Sequence, residues 1–114
     1  MPFISTKTNK TITKDTAKAL KEAYASAIEL LPGKTEKWLM LSFEGDTQMA
    51  FHGDMDSPMA FLTVSLVGSA SDEAYDALTK RLCGIMGETL GIASDMVYVK
   101  YEEVDHWGWN NINF

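Results

Sequence analysis

The sequence predicts an α/β (α+β) chain: two β-α-β units sharing one four-stranded mixed sheet, with two antiparallel helices on one face. Three spacings predict it. The helix-capping residues Thr13 and Ser71 stand 58 positions apart. The strands that follow the two helices begin near Trp38 and Met96, again 58 apart. Pro2 and Pro58 head the first strand of each unit, 56 apart. The pseudo-repeats thus run over about 2–51 and 58–103, with a tail at 104–114, inside a single domain 1–114.

Residues 3–8 (FISTKT) predict the first strand. Thr13 caps a helix whose apolar residues recur at Ala17, Leu20, Tyr24, Ala27, Ile28 and Leu31, the spacing of one buried stripe. Pro32-Gly33 stops it. The apolar run Trp38-Leu39-Met40-Leu41-Ser42-Phe43 predicts a second strand, Glu44-Gly45-Asp46 a turn, and Thr47–Phe51 a short return strand. His52–Pro58 reads as a polar loop. Met59–Val67 is apolar at both parities, the pattern of a central strand, and Gly68 ends it.

Ser71 caps a second helix, with Asp72 and Glu73 at its positive end. Its stripe is Tyr75, Leu78, Leu82, Ile85, Met86 and Thr89. Gly84 and Gly87 each weaken a helix by roughly 1 kcal/mol relative to Ala, so close approach of another backbone is expected there. Leu90-Gly91 closes the helix, and Met96–Tyr101 (MVYVKY) predicts the last strand. In the tail, Gly108 and Asn110-Asn111 predict turns, while Trp107, Trp109, Ile112 and Phe114 need a docking surface.

Each unit should join parallel strands by a right-handed crossover. Helices on one face leave the other open. Strands this apolar predict a second subunit over that face, which would also pair exposed strand edges.

Composition narrows the function. Hydrophobic residues make up 46% of the 114, enough for a packed core and too many for disorder. The net charge is −6 with no Lys/Arg cluster, which argues against nucleic acid as a partner. Apolar runs fall far short of the ~20 residues of a membrane span. Lys7, Lys10 and Lys14 interrupt the N-terminal segment, which carries no signal-peptide h-region. The expected location is cytoplasmic, or outside the cell by a route that needs no signal peptide. Cys83 is the single cysteine, so no intrachain disulfide and no cysteine-based zinc site can form. Its apolar helical setting predicts a buried structural thiol.

Met1-Pro2 is the dipeptide with chemical potential. Initiator methionine is normally trimmed ahead of a small second residue, proline included. Trimming would leave a secondary amine at the head of the apolar segment Phe3-Ile4. An α-amino group titrates near pH 7.7–8, and burial lowers that by disfavouring the charged form. Such an amine could remove a proton from carbon next to a carbonyl. His52-Gly53-Asp54-Met55-Asp56 resembles a metal loop only faintly and reads as a solvated turn. His106 reads as a surface residue.

Taken together, the residues resemble the macrophage migration inhibitory factor (MIF) family of the tautomerase superfamily. The matching pieces are Met1-Pro2, Gly33-Lys34, Met49-Ala50-Phe51, Leu82-Cys83-Gly84, Val97-Tyr98-Val99, and Gly108-Trp109-Asn110-Asn111 with Phe114. The resemblance covers essentially the whole chain. It implies a homotrimer whose sheets wrap a central channel, with three active sites at subunit interfaces. It implies keto–enol tautomerisation of phenylpyruvate-like α-keto acids, and of dopachrome esters, with no metal or organic cofactor. By this resemblance Pro2 is the catalytic base. Lys34 holds the substrate carboxylate, Val67 meets the substrate through its backbone, and Tyr98 comes from the neighbouring subunit. Trp38, Trp109 and Phe114 surround the pocket mouth.

Two departures from the family pattern stand out. Lys100 occupies a position where the family often has Asn, and so implies a second cation for an anionic substrate. The stretch Ser57–Leu62 lacks the Cys-x-x-Cys pair of some members, which excludes dithiol chemistry. The alternative to an enzyme is a cytokine mimic that binds a receptor protein, with the tautomerase pocket vestigial or secondary. Chemistry on unsaturated acids, the third option, typically needs an Arg or Glu beside the proline, and Arg81, the only arginine, is poorly placed on a helix.

Overall fold

The computed structural model describes residues 1–113. Strand β1 (Pro2–Thr8) leads to helix α1 (Lys14–Ala27) and strand β2 (Met40–Glu44); β3 (Ala60–Val67) leads to α2 (Asp72–Leu90) and β4 (Val97–Val104). The sheet order is β2-β1-β3-β4. Within each unit the two strands are parallel, whereas β1 and β3 are antiparallel. The two helices therefore run in opposite senses across one face. The mixed sheet and the paired units match the sequence expectation.

The helix caps form as predicted. Thr13 and Ser71 each accept a backbone N–H three residues on, from Thr16 and Ala74, both at 3.1 Å. Gly91 ends α2 in the left-handed region at φ 67°, where its N–H and that of Ile92 close on Gly87 and Met86 carbonyls. An L side chain would be strained there.

Alternation along β1 and β3 decides the core. Ile4, Thr6 and Thr8, with Ala60, Leu62, Val64 and Leu66, are buried against the helices. They meet Leu20, Tyr24 and Ile28 of the first helical segment and Leu78, Leu82, Ile85 and Met86 of α2. Each such Leu or Ile removed from water contributes about 1.5–3 kcal/mol. The two buried threonines are satisfied: Thr6 shares a 2.7 Å bond with the Tyr24 hydroxyl, and Thr8 donates to the Met59 carbonyl at 2.7 Å.

The structure corrects several expectations. Thr47–Phe51 forms no return strand; Phe51 makes only an isolated bridge to Asp54. Trp38 lies in a 3-10 turn (Glu36–Trp38), and β2 begins at Met40. The open sheet face is apolar only toward its ends. Ser5, Ser42, Thr63, Ser65, Lys100 and Glu102 occupy its middle, with Phe3, Met40, Val67 and Val104 toward one end and Phe61 and Tyr98 toward the other. No other backbone approaches Gly84, where a Cβ would meet only the Arg81 side chain at 3.7 Å; Gly87 does face a backbone, the Ile92 carbonyl, but at 3.5 Å from a Cβ this is ordinary contact. Cys83 is half-buried rather than buried, and burial raises its thiol pKa. Among the described residues no helix is long and apolar enough to cross a membrane.

Candidate active site

The site begins with how α1 stops. Past Ala27 the chain tightens into a 3-10 turn (Ile28–Leu30), and Gly33 takes φ 80°. This reversal brings Lys34 back over the end of β3. The Lys34 Nζ donates to the Val67 carbonyl at 3.3 Å. Pro2 pairs with Leu66, the residue before Val67, so the N-terminus meets the same strand end. Pro2 is buried and Met1 half-buried.

The N-terminal amine, which in this chain belongs to Met1, titrates below its usual 8.0. Burial is the first cause; the charge of the neighbouring Lys34 ammonium and its hydrogen bond come next. Both disfavour the protonated form. Removal of Met1 would transfer the amine to the more deeply buried Pro2. While Met1 remains, the Pro2 nitrogen is an amide and no base.

A cavity of about 840 Å³ opens beside this amine, lined by Met1, Pro2, Lys37, Trp38, Trp107 and Trp109 among others. Trp38 and Trp109 meet edge to face with centroids 5.0 Å apart, which fixes one aromatic wall. Trp109 is held there by the tail hairpin, β5 (Gly108–Trp109) and β6 (Ile112–Asn113). Asn110 and Asn111 form its turn at φ 53° and 72°, a conformation Asn tolerates better than most residues.

Five sequence-predicted site residues thus gather at one end of the sheet: Pro2, Lys34, Val67, Trp38 and Trp109. Tyr98 does not join them. It pairs with Phe61, five residues along β3 from the partner of Pro2, about 17 Å at the usual strand rise. There it is 57% exposed and packs on Phe51 at 4.6 Å. Lys100 sits opposite Thr63 and forms an ion pair with Glu102 at 3.4 Å, so in its own subunit it neither reaches Pro2 nor stands as an unbalanced charge. Phe114 lies outside the described residues. Sequence reasoning assigned Lys37 no role and gave Trp107 only an unspecified docking surface. The position of Lys37 three residues after Lys34 and next to Trp38 was the available signal.

Two other features carry no comparable chemistry. The Asp54 carboxylate is spent on its own loop, accepting from the N–H groups of Asp56 and Ser57 and from the Ser57 hydroxyl, which holds its pKa low. Among the described residues no group of three or more His, Cys, Asp or Glu gathers as a metal site would. A groove of about 650 Å³ between α1 and β2, lined by Lys14, Lys18, Leu41 and Phe43 among others, does not include the N-terminus.

The family model for macrophage migration inhibitory factor matches residues 1–113. The chain belongs to the MIF family. The rat macrophage migration inhibitory factor (Rattus norvegicus) is 29% identical over 84 residues, 72% of each chain. Among solved structures, MIF2 of Leishmania major superposes with a TM-score of 0.93 at 28% identity, covering 100% of this chain and 97% of that one. The Prochlorococcus marinus homologue gives 0.88 at 29% identity, covering 98% of both. The two-helix, four-stranded arrangement is therefore the MIF fold.

Proposed function

We propose that this MIF-family chain is a keto–enol tautomerase of phenylpyruvate-like α-keto acids, with dopachrome esters as a second class, and that Pro2 is its acid–base residue once Met1 is removed. The observation that carries this reading is the N-terminal amine held neutral-prone by burial and by Lys34 at the head of a tryptophan-walled cavity. A base needs a free electron pair near pH 7, and this environment favours it.

The chemistry balances without an external reagent. The amine of Pro2 takes a proton from the methylene carbon next to the keto group. The C–H electron pair becomes the enolate double bond, and the proton returns to the former keto oxygen. In the reverse direction the enol proton goes back to carbon. Lys34 holds the substrate carboxylate, and its charge opposes the negative charge that develops on the enolate. Trp38 and Trp109 form the aryl wall, with Val67 presenting its backbone; Phe114, assigned to the pocket mouth by the family resemblance, lies outside the described residues.

The remoteness of Tyr98 from Pro2 in one subunit supports a site shared between copies, as the expected homotrimer would require. The unpaired outer edges of β2 and β4 and the uncovered sheet face are the surfaces available for that assembly. Tyr98 and Lys100 then act on a neighbour's Pro2.

The test is an enol–keto exchange assay with phenylpyruvate on untagged protein whose intact mass shows Met1 absent. Pro2→Gly should lower kcat by at least about 100-fold, the usual worth of a positioned base. Protein that retains Met1 should be similarly slow. Equal rates for wild type and Pro2→Gly would overturn the enzyme reading and leave a receptor-binding role in its place.

A further inference from the structure

The cavity at Pro2 carries a second cation that the proposed tautomerase reaction with phenylpyruvate does not use. Lys37 lines it, with its Nζ 5.2 Å from the centre of the Trp38 ring. The 3-10 turn at Glu36–Trp38 sorts its charges to opposite sides. Glu36 turns to α1 and pairs with Lys21 at 3.1 Å. Lys37 turns to the cavity, and among the described residues no carboxylate lies within ion-pair distance of it.

This contrasts with Lys100, whose charge is matched by Glu102 at 3.4 Å while Ser65 donates to the same carboxylate at 2.9 Å. It also contrasts with Lys34, which is committed to the inner end beside the amine and Val67. Lys37 thus lines the cavity itself, while Lys34 stands beside the amine at its head. Lys34 stands at the reacting end, and Lys37 stands over the aromatic wall where the ring of an aryl keto acid would lie. Seating the ammonium on an indole face restricts its freedom and leaves its remaining donors for a ligand.

We infer that the site selects α-keto acids bearing a second anionic group at the end remote from the keto carbon, and that Lys37 is the residue that recognises that group. The inference rests on the tautomerase reading of the same cavity, and it names the substrate class within it. The net charge of −6 sharpens the point, because a dianion approaches an acidic protein only where cations are concentrated.

Two measurements on Met1-free protein separate this inference from the reading beneath it. The first is the ratio of kcat/KM for 4-carboxyphenylpyruvate over phenylpyruvate. It should exceed one and fall about fivefold in Lys37→Gln, the fold-change expected of a partly exposed ion pair. Lys37→Arg should retain it, and raised salt should erode it. The second is quenching of tryptophan fluorescence by the unreactive pair 4-carboxycinnamate and cinnamate, where wild type should prefer the dianion and Lys37→Gln should not.

Turnover of phenylpyruvate with no dianion preference in either measurement overturns the inference and leaves the tautomerase reading standing. Absence of turnover with a Lys37-dependent preference in the quenching assay does the reverse. Loss of the preference in Lys100→Asn but not in Lys37→Gln assigns the second cation to Lys100 and overturns the role given to Lys37.

Discussion

The Lys34 ammonium donates to the backbone carbonyl of Val67 at 3.3 Å, and through that bond the loop after α1 is tied to the end of β3 beside the N-terminus. One lysine thus anchors a loop and, after burial, supplies the charge that further lowers the pKa of the Met1 amine next to it. A group able to do both links the local turn at Pro32-Gly33 to the chemistry proposed for Pro2.

The first prediction concerns pH. Burial first and Lys34 second lower the pKa of the Met1 amine; the Pro2 amine freed by loss of Met1 would keep the same neighbours, so the neutral, active base should persist below the ordinary value of 8.0 and be lost as pH falls through the lowered one. The acidic limb of kcat/KM should therefore have its midpoint below 8.0. Lys34→Ala removes the charge and its hydrogen bond, so the limb should move to higher pH, leaving the burial contribution in place. KM for phenylpyruvate should rise about tenfold or more, the worth of a hydrogen bond to a charged group. A pH–rate profile of both proteins checks the sign: a limb that moves to lower pH in Lys34→Ala contradicts the assignment.

The distance between Tyr98 and Pro2 within one chain leads to the second prediction. If each site takes Pro2 from one copy and Tyr98 from the next, Pro2→Gly and Tyr98→Ala chains should complement each other. Unfolded together in equal amounts and refolded, they should recover activity in about a quarter of the sites, those joining an intact Pro2 to an intact Tyr98 across a heterologous interface. Neither variant refolded alone should show this gain. A mixture no better than the average of its components would place both residues in separate roles.

A third prediction tests the core that carries the site. Tyr24 and Thr6 are both fully buried and share a 2.7 Å hydrogen bond, which leaves neither hydroxyl unpaired. Burial also pushes the Tyr24 pKa well above the usual range. Tyr24→Phe strands the Thr6 hydroxyl against an apolar ring and should cost about 1–3 kcal/mol. Adding Thr6→Val should restore part of that loss, since replacing both partners removes the orphaned group. Thermal melts of the two variants provide the comparison: the single variant should melt several degrees lower. A double variant less stable than the single one would show that the hydroxyls are not an isolated pair.

The elements that could be read from the sequence are those whose signals are local. Thr13 and Ser71 cap helices because a side-chain oxygen three positions ahead of a free N–H needs no tertiary partner. The stripe from Leu20 to Leu31 is buried because helical spacing alone places those residues on one side. Asn110-Asn111 turns the tail because both can take positive φ. Thr47–Phe51 forms no strand for the complementary reason: a strand exists only with a continuous hydrogen-bonding neighbour, and among the described residues only isolated bonds, Thr47 to Thr8 and Phe51 with Asp54, reach it. The polar middle of the open sheet face was not legible because composition does not say which parity of a strand turns inward. Pro2, Lys34, Val67, Trp38 and Trp109 lie together at one end of the sheet, and it is family resemblance rather than spacing that groups them in the sequence. Lys37 was passed over because a loop lysine has no periodic signature, and its direction depends on the turn around it.

The sequence by itself determined the two β-α-β units, their caps and their buried stripes, since 3.6- and 2-residue periodicities and capping chemistry act over a few residues. Tertiary structure decided what meets what. The antiparallel register of β1 on β3 sets Pro2 against Leu66, and Phe61 against Lys7 rather than Pro2, which leaves Tyr98 at the far end of the sheet. The turn at Gly33 then delivers Lys34 to Val67, and the tail hairpin delivers Trp109 to Trp38. These contacts join residues 33 and 71 positions apart. Only packing of the sheet and its loops could specify them, because no short-range preference reaches that distance.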